Sequence, residues 1–130
     1  MDKIITVVAG VIRIGNKVLL ASRPVDKPPY GLEFPGGKVE KNETLQQALE
    51  RELKEELSFD VTALDVIYLT RVKNIKIWFI RCLPKKNSSI KPMENQSYNF
   101  YDLTCGIPKD LLPGDYSFWQ FLASGIKNKN

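Results

Sequence analysis

Residues 36–59, GGKVEKNETLQQALERELKEELSF, carry most of the structural information in this chain. Two glycines lead into a polar loop, and a helix is predicted from Leu45 onward. Thr44 and Gln47 have the spacing of a capping box, and we expect the helix to end near Ser58. Apolar residues recur at the spacing of an amphipathic helix and share one broad arc: Leu45, Ala48, Leu49, Leu53 and Leu57.

Two carboxylates, Glu52 and Glu56, fall inside this apolar arc, and Glu55 lies at its edge. Arg51 and Lys54 lie away from it, and the chain has no histidine. An unpaired carboxylate among apolar side chains is costly, so a bound divalent cation is the simplest counter-charge. The alternative is a charged surface helix with four-residue ion pairs, in which Glu52 and Glu56 would repel each other.

The same stretch resembles the Nudix box, G-x5-E-x7-R-E-U-x-E-E-x-G-U, where U is a bulky aliphatic residue. The matching residues are Gly37, Glu43, Arg51, Glu52, Leu53, Glu55 and Glu56. Ser58 replaces the late glycine of the box, and aromatic Phe59 stands at its last position. Without that glycine, the helix needs another cap or a left-handed serine. Residues 32–40, LEFPGGKVE, resemble the MutT-like subgroup.

The resemblance implies a hydrolase that cleaves a nucleoside diphosphate linked to another group. It implies a Mg²⁺ or Mn²⁺ site formed by Glu52, Glu55, Glu56 and the carbonyl of Gly36. Arg51 and Glu43 would hold the helix and the loop in register; the alternative is an ordinary surface salt bridge. Glu56 and Glu94 are alternative candidates for the base that activates water, and Glu94 is otherwise a solvated side chain.

Substrate contacts are expected from four further residues. Lys38 follows the glycines and is a candidate phosphate contact, with simple solvation as the alternative. Arg23 and Phe34 match positions that line the base pocket in MutT-like proteins, although a lone aromatic is more often part of the core. Asp115 matches a base-facing position, and it also precedes a predicted helix where it would serve as an N-cap.

The composition fits an ordinary globular protein. The chain has 130 residues, of which 43% are hydrophobic and 26% charged, so we expect a single domain over residues 1–130. The absence of histidine excludes Ser-His and Cys-His catalytic pairs. The formal net charge of +4 favours anionic ligands. The two cysteines, Cys82 and Cys105, are expected to be reduced.

No apolar run long enough to span a membrane and no signal-peptide pattern is found, so a cytoplasmic location is expected. The oligomeric state is expected to be a monomer or a homodimer.

Residues 4–14, 17–22, 59–72, 74–83 and 97–103 are predicted strands, with a hairpin turn at Gly15-Asn16. Residues 35–37 are predicted to form a turn that brings the backbone close to another group and would let a carbonyl face a ligand; the alternative is a plain tight turn. A short second helix should follow Asp115 and end at Gly125. These elements indicate an α/β protein around one sheet, and the resemblance implies the Nudix fold, a mixed sheet sandwiched between helices.

The leading functional prediction is a MutT-type nucleoside triphosphate pyrophosphohydrolase acting on 8-oxo-dGTP. Alternatives within the enzymes are a CTP-like triphosphate, a nucleotide sugar or a dinucleoside polyphosphate. A different class is a non-catalytic nucleotide- or RNA-binding Nudix domain. The three box glutamates argue against that class, and no basic stripe with interleaved aromatic residues supports it, so no stable nucleic-acid complex is expected.

Overall fold

Eight strands and two α-helices make up the described part of the chain, which in this computed structural model comprises residues 3–23, 29–92 and 96–127. The strands are β1 Ile5–Val11, β2 Arg13–Ile14, β3 Lys17–Ser22, β4 Leu32–Glu33, β5 Gly36–Lys38, β6 Val61–Val72, β7 Ile75–Pro84 and β8 Tyr98–Asp102. The helices are α1 Leu45–Leu57 and α2 Tyr116–Lys127. Within the described residues, no helix is long and apolar enough to cross a membrane.

The strands form two sheets. The larger has the order β5-β1-β7-β6, in which β1 and β7 are parallel and the other pairs antiparallel. In the smaller sheet, β3 pairs with β2 and β4 along one edge and with β8 along the other. The larger sheet is therefore mixed, as predicted, but the prediction of one sheet was wrong.

Each face of the larger sheet is covered by one helix. Val8 and Ile80 belong to one core cluster with the buried side chains of α1, including Leu49 and Leu53. Ala9, Phe79, Phe118 and Trp119 belong to the second cluster, on the face covered by α2. Because β1 is central and buried on both faces, it reads as an unbroken apolar run. This arrangement confirms the predicted sandwich of a mixed sheet between helices.

The first predicted strand, residues 4–14, is divided between the two sheets. β1 ends at Val11, the chain crosses at buried Ile12, and β2 pairs with β3 in the smaller sheet. The backbone carbonyl of Ile12 accepts a hydrogen bond from Leu19 N at 3.0 Å. A continuous apolar run does not reveal where the chain leaves one sheet for another, and the single-strand prediction was wrong for that reason.

The turn predicted at residues 35–37 is also a strand, since β5 pairs with β1 along the edge of the larger sheet. Glycine is required here by close approach. A Cβ atom built on Gly36 would lie 1.9 Å from the carbonyl oxygen of Val8, so the two backbones come too close for any side chain. The predicted close approach is correct, but part of what lies close is β1 itself.

The second helix passes through Gly125 and ends at Lys127. The prediction that Gly125 would end it was wrong, because side chains on both sides of the glycine, Leu122 and Ile126, pack in the second core cluster. Such packing outweighs the helix propensity of one glycine, about 1 kcal/mol. Cys82 is buried, Cys105 is exposed, and both are free thiols, as expected.

Candidate active site

The carboxylate helix α1 is built as the sequence predicts. Thr44 Oγ1 accepts a hydrogen bond from Gln47 N at 3.0 Å, and the Gln47 side chain accepts one from Thr44 N at 2.9 Å. The helix ends at Leu57, and Ser58 adopts the left-handed conformation with φ 49° and ψ 33°. The helix is therefore capped at both ends by its own sequence, with a serine where glycine would be less strained.

Arg51 is the charged centre of the site. Its guanidinium donates to both carboxylate oxygens of Glu43, from Nε at 2.7 Å and from Nη2 at 2.9 Å. Nη1 donates to Glu52 at 2.9 Å and to Glu55 at 3.3 Å. The hydrogen bonds from Arg51 lower the pKa of Glu43. Such bidentate pairing is strong and directional, which agrees with the predicted role of Arg51 and Glu43 in holding the loop on the helix.

The sequence analysis placed Arg51 away from the apolar arc and did not foresee that its side chain reaches two of the carboxylates. Its side chain folds back along the helix and supplies positive charge between Glu52 and Glu55. Part of the counter-charge that the sequence analysis assigned to a metal ion thus comes from this arginine. A helical wheel places the Cα atoms of a helix, but a side chain as long as arginine reaches across the wheel.

Glu52 lies against the backbone of β5. A Cβ atom built on Gly37 would lie 2.4 Å from both Cδ and Oε2 of Glu52. The carboxylate occupies the space that any larger residue at position 37 would fill. Burial raises the pKa of Glu52, while the hydrogen bond from Arg51 opposes that rise. A carboxylate held in a partly desolvated position beside a strand backbone provides hard oxygen atoms of the kind that Mg²⁺ and Mn²⁺ prefer.

The other predicted ligands lie on the same helix and on the neighbouring strand β5. Glu56 is partly buried, Glu55 is exposed, and Gly36 directly precedes Gly37 in β5. Within the described ranges, no group of three or more Asp, Glu, Cys or His side chains is arranged to hold a metal ion. The rotamers of Glu52 and Glu55 are those of their ion pairs with Arg51. The three predicted carboxylate ligands therefore lie on α1, and two of them, Glu52 and Glu55, are turned toward the arginine.

A second polar centre forms where the segment before α2 meets β4. Leu32 N donates to Asp110 O, Leu112 N donates to Leu32 O, and these bonds bring the following turn onto the sheet. Asp115 Oδ2 consequently accepts a hydrogen bond from Phe34 N at 2.9 Å. Asp115 is only 6% exposed, and burial raises its pKa to about 7. The Asp115 carboxylate thus accepts a hydrogen bond from the backbone between β4 and β5. The alternative in the sequence analysis was that Asp115 caps the second helix.

Glu33 belongs to this centre and was not predicted. Arg23 Nη1 lies 3.3 Å from Glu33 Oε2, and Glu33 contributes to the raised pKa of Asp115. Burial raises the pKa of Glu33 as well, with Arg23 opposing it. The missed signal was a lone carboxylate between apolar neighbours in LEFP, which is the same signal that identified Glu52. Two carboxyl groups and an arginine thus line one end of the smaller sheet.

Three further residues were predicted to contact the substrate or to activate water: Phe34, Lys38 and Glu94. The Phe34 side chain belongs to the core, which was the alternative to its assignment to a base pocket: it is 2% exposed and makes edge contacts with Phe79 and Phe118 at centroid distances of 5.8 Å and 5.0 Å. The Lys38 side chain is exposed, and the Lys38 carbonyl accepts from Arg51 Nη2 at 3.1 Å. Glu94 lies outside the described residues.

An acidic helix is tied by Arg51 to the glycine strand β5, on one face of a mixed sheet that lies between two helices, and this arrangement defines an α/β sandwich with a carboxylate-rich helix flank. Residues 4–118 match the NUDIX domain model, so the chain belongs to the Nudix family.

Similar proteins share parts of this chain. A CTP pyrophosphohydrolase of Escherichia coli is 52% identical over 61 residues, which are 46% of this chain and 45% of that protein. An 8-oxo-dGTP diphosphatase of Proteus vulgaris is 56% identical over 48 residues, 36% of this chain and 43% of that protein. The chain thus matches less than half the length of each of these relatives. The solution structure of the E. coli ORF135 protein is similar with a TM-score of 0.74 and 29% identity, over 98% of this chain and 94% of that one.

Proposed function

We propose that this protein hydrolyses nucleoside triphosphates to the monophosphate and pyrophosphate in a reaction dependent on a divalent metal ion. The observation that carries the proposal is the Glu52 carboxylate held against Gly37 and oriented by Arg51. A phosphoanhydride is anionic and repels hydroxide, so its hydrolysis needs positive charge and a positioned water molecule. The carboxylates on this flank of α1 would hold a metal ion, and that ion would supply the positive charge and position the water molecule.

The residues that would hold the metal ion are Glu52, Glu55, Glu56 and the carbonyl of Gly36. Oxygen donors of this kind suit Mg²⁺ or Mn²⁺. The ion, when bound, would neutralise phosphate charge and acidify a coordinated water molecule. The close contact between Gly37 and Glu52 fits this role, because it holds the Glu52 carboxylate at a defined place before any ligand binds.

Other side chains of this protein would orient the ligands, contact the phosphate groups and take a proton from water. Arg51 keeps Glu52 oriented and holds the loop through Glu43. The exposed Lys38 ammonium at the end of β5 is a candidate phosphate contact. Glu56 is the first candidate for the base that takes a proton from water, and Glu94 is the second.

For the base of the nucleotide, the buried carboxyl of Asp115 and the neighbouring Glu33 favour a partner rich in hydrogen-bond donors. A carboxyl group has an oxygen that accepts hydrogen bonds in both protonation states, and only its protonated form can also donate one. Guanine offers donors at N1 and N2, and 8-oxoguanine adds one at N7, so 8-oxo-dGTP is the first candidate. CTP is the second candidate: cytosine has only its amino group as donor, but a CTP pyrophosphohydrolase is among the similar proteins, with 52% identity over 61 residues.

A nucleotide screen with Mg²⁺, scored by release of phosphate and of pyrophosphate, tests the proposal. Pyrophosphate release is expected, with the highest kcat/KM for 8-oxo-dGTP; a higher value for CTP would select the second candidate. Phosphate release alone, or turnover of nucleotide sugars only, would contradict the proposed reaction. Binding of nucleotides without turnover would instead support a binding-only domain.

The variant Glu56→Gln tests the role of the helix flank. It keeps the size of the side chain and removes its charge, so folding should persist while Mg²⁺-dependent turnover falls about a thousandfold or more. Asp60→Asn is the matched control, because it removes a carboxylate from the exposed residue just beyond the same helix. Near-native turnover by folded Glu56→Gln would refute the assignment of Glu56.

A further inference from the structure

The helix α1 is tied to the sheet on the flank opposite its predicted metal ligands. Glu50 Oε2 accepts a hydrogen bond from Ala63 N at 2.9 Å, and Gln46 Nε2 donates one to Leu64 O at 3.0 Å. The two side chains are one helical turn apart, and they contact the backbone of consecutive residues in β6. One is an acceptor and the other a donor, so they match one N–H and one C=O of the strand.

This contact falls where β6 departs from regular pairing. Ala63 pairs with Cys82 and Val66 with Ile80, so β6 has one residue more than β7 between these pairs. A further shift follows between Val66 and Tyr68. A bulge leaves backbone groups without ladder partners, and such groups must be satisfied elsewhere. Glu50 and Gln46 supply hydrogen bonds at this place from the helix.

Glu50 and Glu52 project to opposite flanks of α1, because two residues are about 200° apart around a helix. Between them lies the buried seam of Leu49 and Leu53, which packs on the sheet. Hydrophobic packing is non-directional, so the seam holds the helix down without setting its rotation about its axis. The hydrogen bonds to β6 are directional, so they restrict that rotation on this flank, as the hydrogen bond from Arg51 to the Lys38 carbonyl does on the other.

We propose that Glu50 is a positioning residue that sets the placement of the Glu52 carboxylate at Gly37 by anchoring α1 to the β6 bulge. Gln46 contributes the second anchor. The inference rests on the proposed function, because it concerns the metal affinity of the Glu52 flank. Little free space separates Gly37 from the Glu52 carboxylate, since even a Cβ atom at position 37 would touch it. A slight rotation of α1 would therefore move the Glu52 carboxylate.

Mn²⁺ binding to the purified protein, measured by electron paramagnetic resonance without nucleotide, tests the inference independently of turnover. Glu50→Ala removes the acceptor for Ala63 N and should weaken Mn²⁺ binding about tenfold, the lower end of the effect of losing an outer-shell partner. Glu50→Gln keeps an oxygen acceptor and removes the same charge, so its affinity should remain within about threefold of the wild type.

Asp65→Ala is the matched structural control. Asp65 also lies in the bulge and pairs with Arg81 at 3.0 Å, but both side chains are more than half exposed, and their pairing involves no residue of α1. Its Mn²⁺ affinity should equal that of the wild type. In activity assays, Glu50→Ala should raise the Mn²⁺ concentration for half-maximal turnover by the same factor while leaving the KM for nucleotide at saturating Mn²⁺ unchanged.

Equal Mn²⁺ affinities for Glu50→Ala and Asp65→Ala would overturn the positioning role and leave the proposed function intact. Equal weakening by Glu50→Gln and Glu50→Ala would overturn it as well, because charge rather than the hydrogen bond would then be responsible. If Glu50→Ala does not fold, Gln46→Ala, which removes the donor to Leu64 O, should weaken Mn²⁺ binding about tenfold, and an affinity equal to that of Asp65→Ala would count against the anchor. A wild-type protein that neither binds Mn²⁺ nor hydrolyses nucleotides would overturn the proposed function, and the positioning role with it.

Discussion

Replacing Asp115 by asparagine tests the electrostatics of the buried carboxyl group. An asparagine oxygen can still accept the hydrogen bond from Phe34 N, but it carries no charge. The folded-state pKa of Asp115 is about 7, above its ordinary value of 3.8. The carboxyl group is therefore compatible with folding while protonated, and its ionisation destabilises the folded state progressively between these two pH values.

The size of the effect follows from the pKa difference. Each pKa unit corresponds to about 1.4 kcal/mol, so the ionised carboxyl carries a penalty of roughly 4 kcal/mol in the folded protein at pH 8. At pH 5 the penalty is only about 2 kcal/mol, since the folded-state carboxyl is then mostly protonated. Asp115→Asn should therefore gain free energy of unfolding relative to the wild type, and that gain should be about 2 to 3 kcal/mol larger at pH 8 than at pH 5.

Urea unfolding of both proteins at pH 5, 6, 7 and 8 measures this difference, because urea leaves the ionic strength unchanged. Asp60→Asn, at an exposed position, should show a small difference that does not change over the same range. A constant gap between Asp115→Asn and the wild type would show that Asp115 ionises normally in the folded protein. In that case the argument from burial would be refuted, and with it the case for a carboxyl that changes protonation near neutral pH.

Two further predictions concern the glycines of β5 and the end of α1. Gly36→Ala should destabilise the protein by about 3 kcal/mol or more, because its Cβ atom would meet the Val8 backbone. The Cβ atom of Gly37→Ala would meet only the Glu52 carboxylate, which can move, so this variant should lose less stability. Its turnover should instead fall about a hundredfold. Equal unfolding free energies for the two variants would contradict this distinction. Ser58→Gly should raise the free energy of unfolding by roughly 0.5–1 kcal/mol because Ser58 is left-handed, and a lower melting temperature would argue against strain at that residue.

The sequence by itself determined the features that depend on neighbouring residues. The capping box at Thr44 and the end of α1 were predicted correctly, and Ser58 adopts one of its two expected alternatives, the left-handed conformation, because each hydrogen bond involved spans only a few residues. The amphipathic arc was also predicted correctly, since helical spacing alone decides which leucines share a face. The box motif gave the family in the same way, from fixed spacings along one stretch of chain.

Tertiary structure decided what depends on distant partners. The hydrogen bond from Phe34 N to Asp115 joins residues 81 apart, and no local pattern predicts that pairing. Gly36 is required by the nearness of β1, and Gly37 faces the Glu52 carboxylate, so a turn signal was misleading there. Arg51 reaches the carboxylates through a long side chain, which a helical wheel does not describe. Local chemistry thus predicts the helix and its charges, whereas the positions of those charges depend on how strands and side chains from distant parts of the sequence pack together.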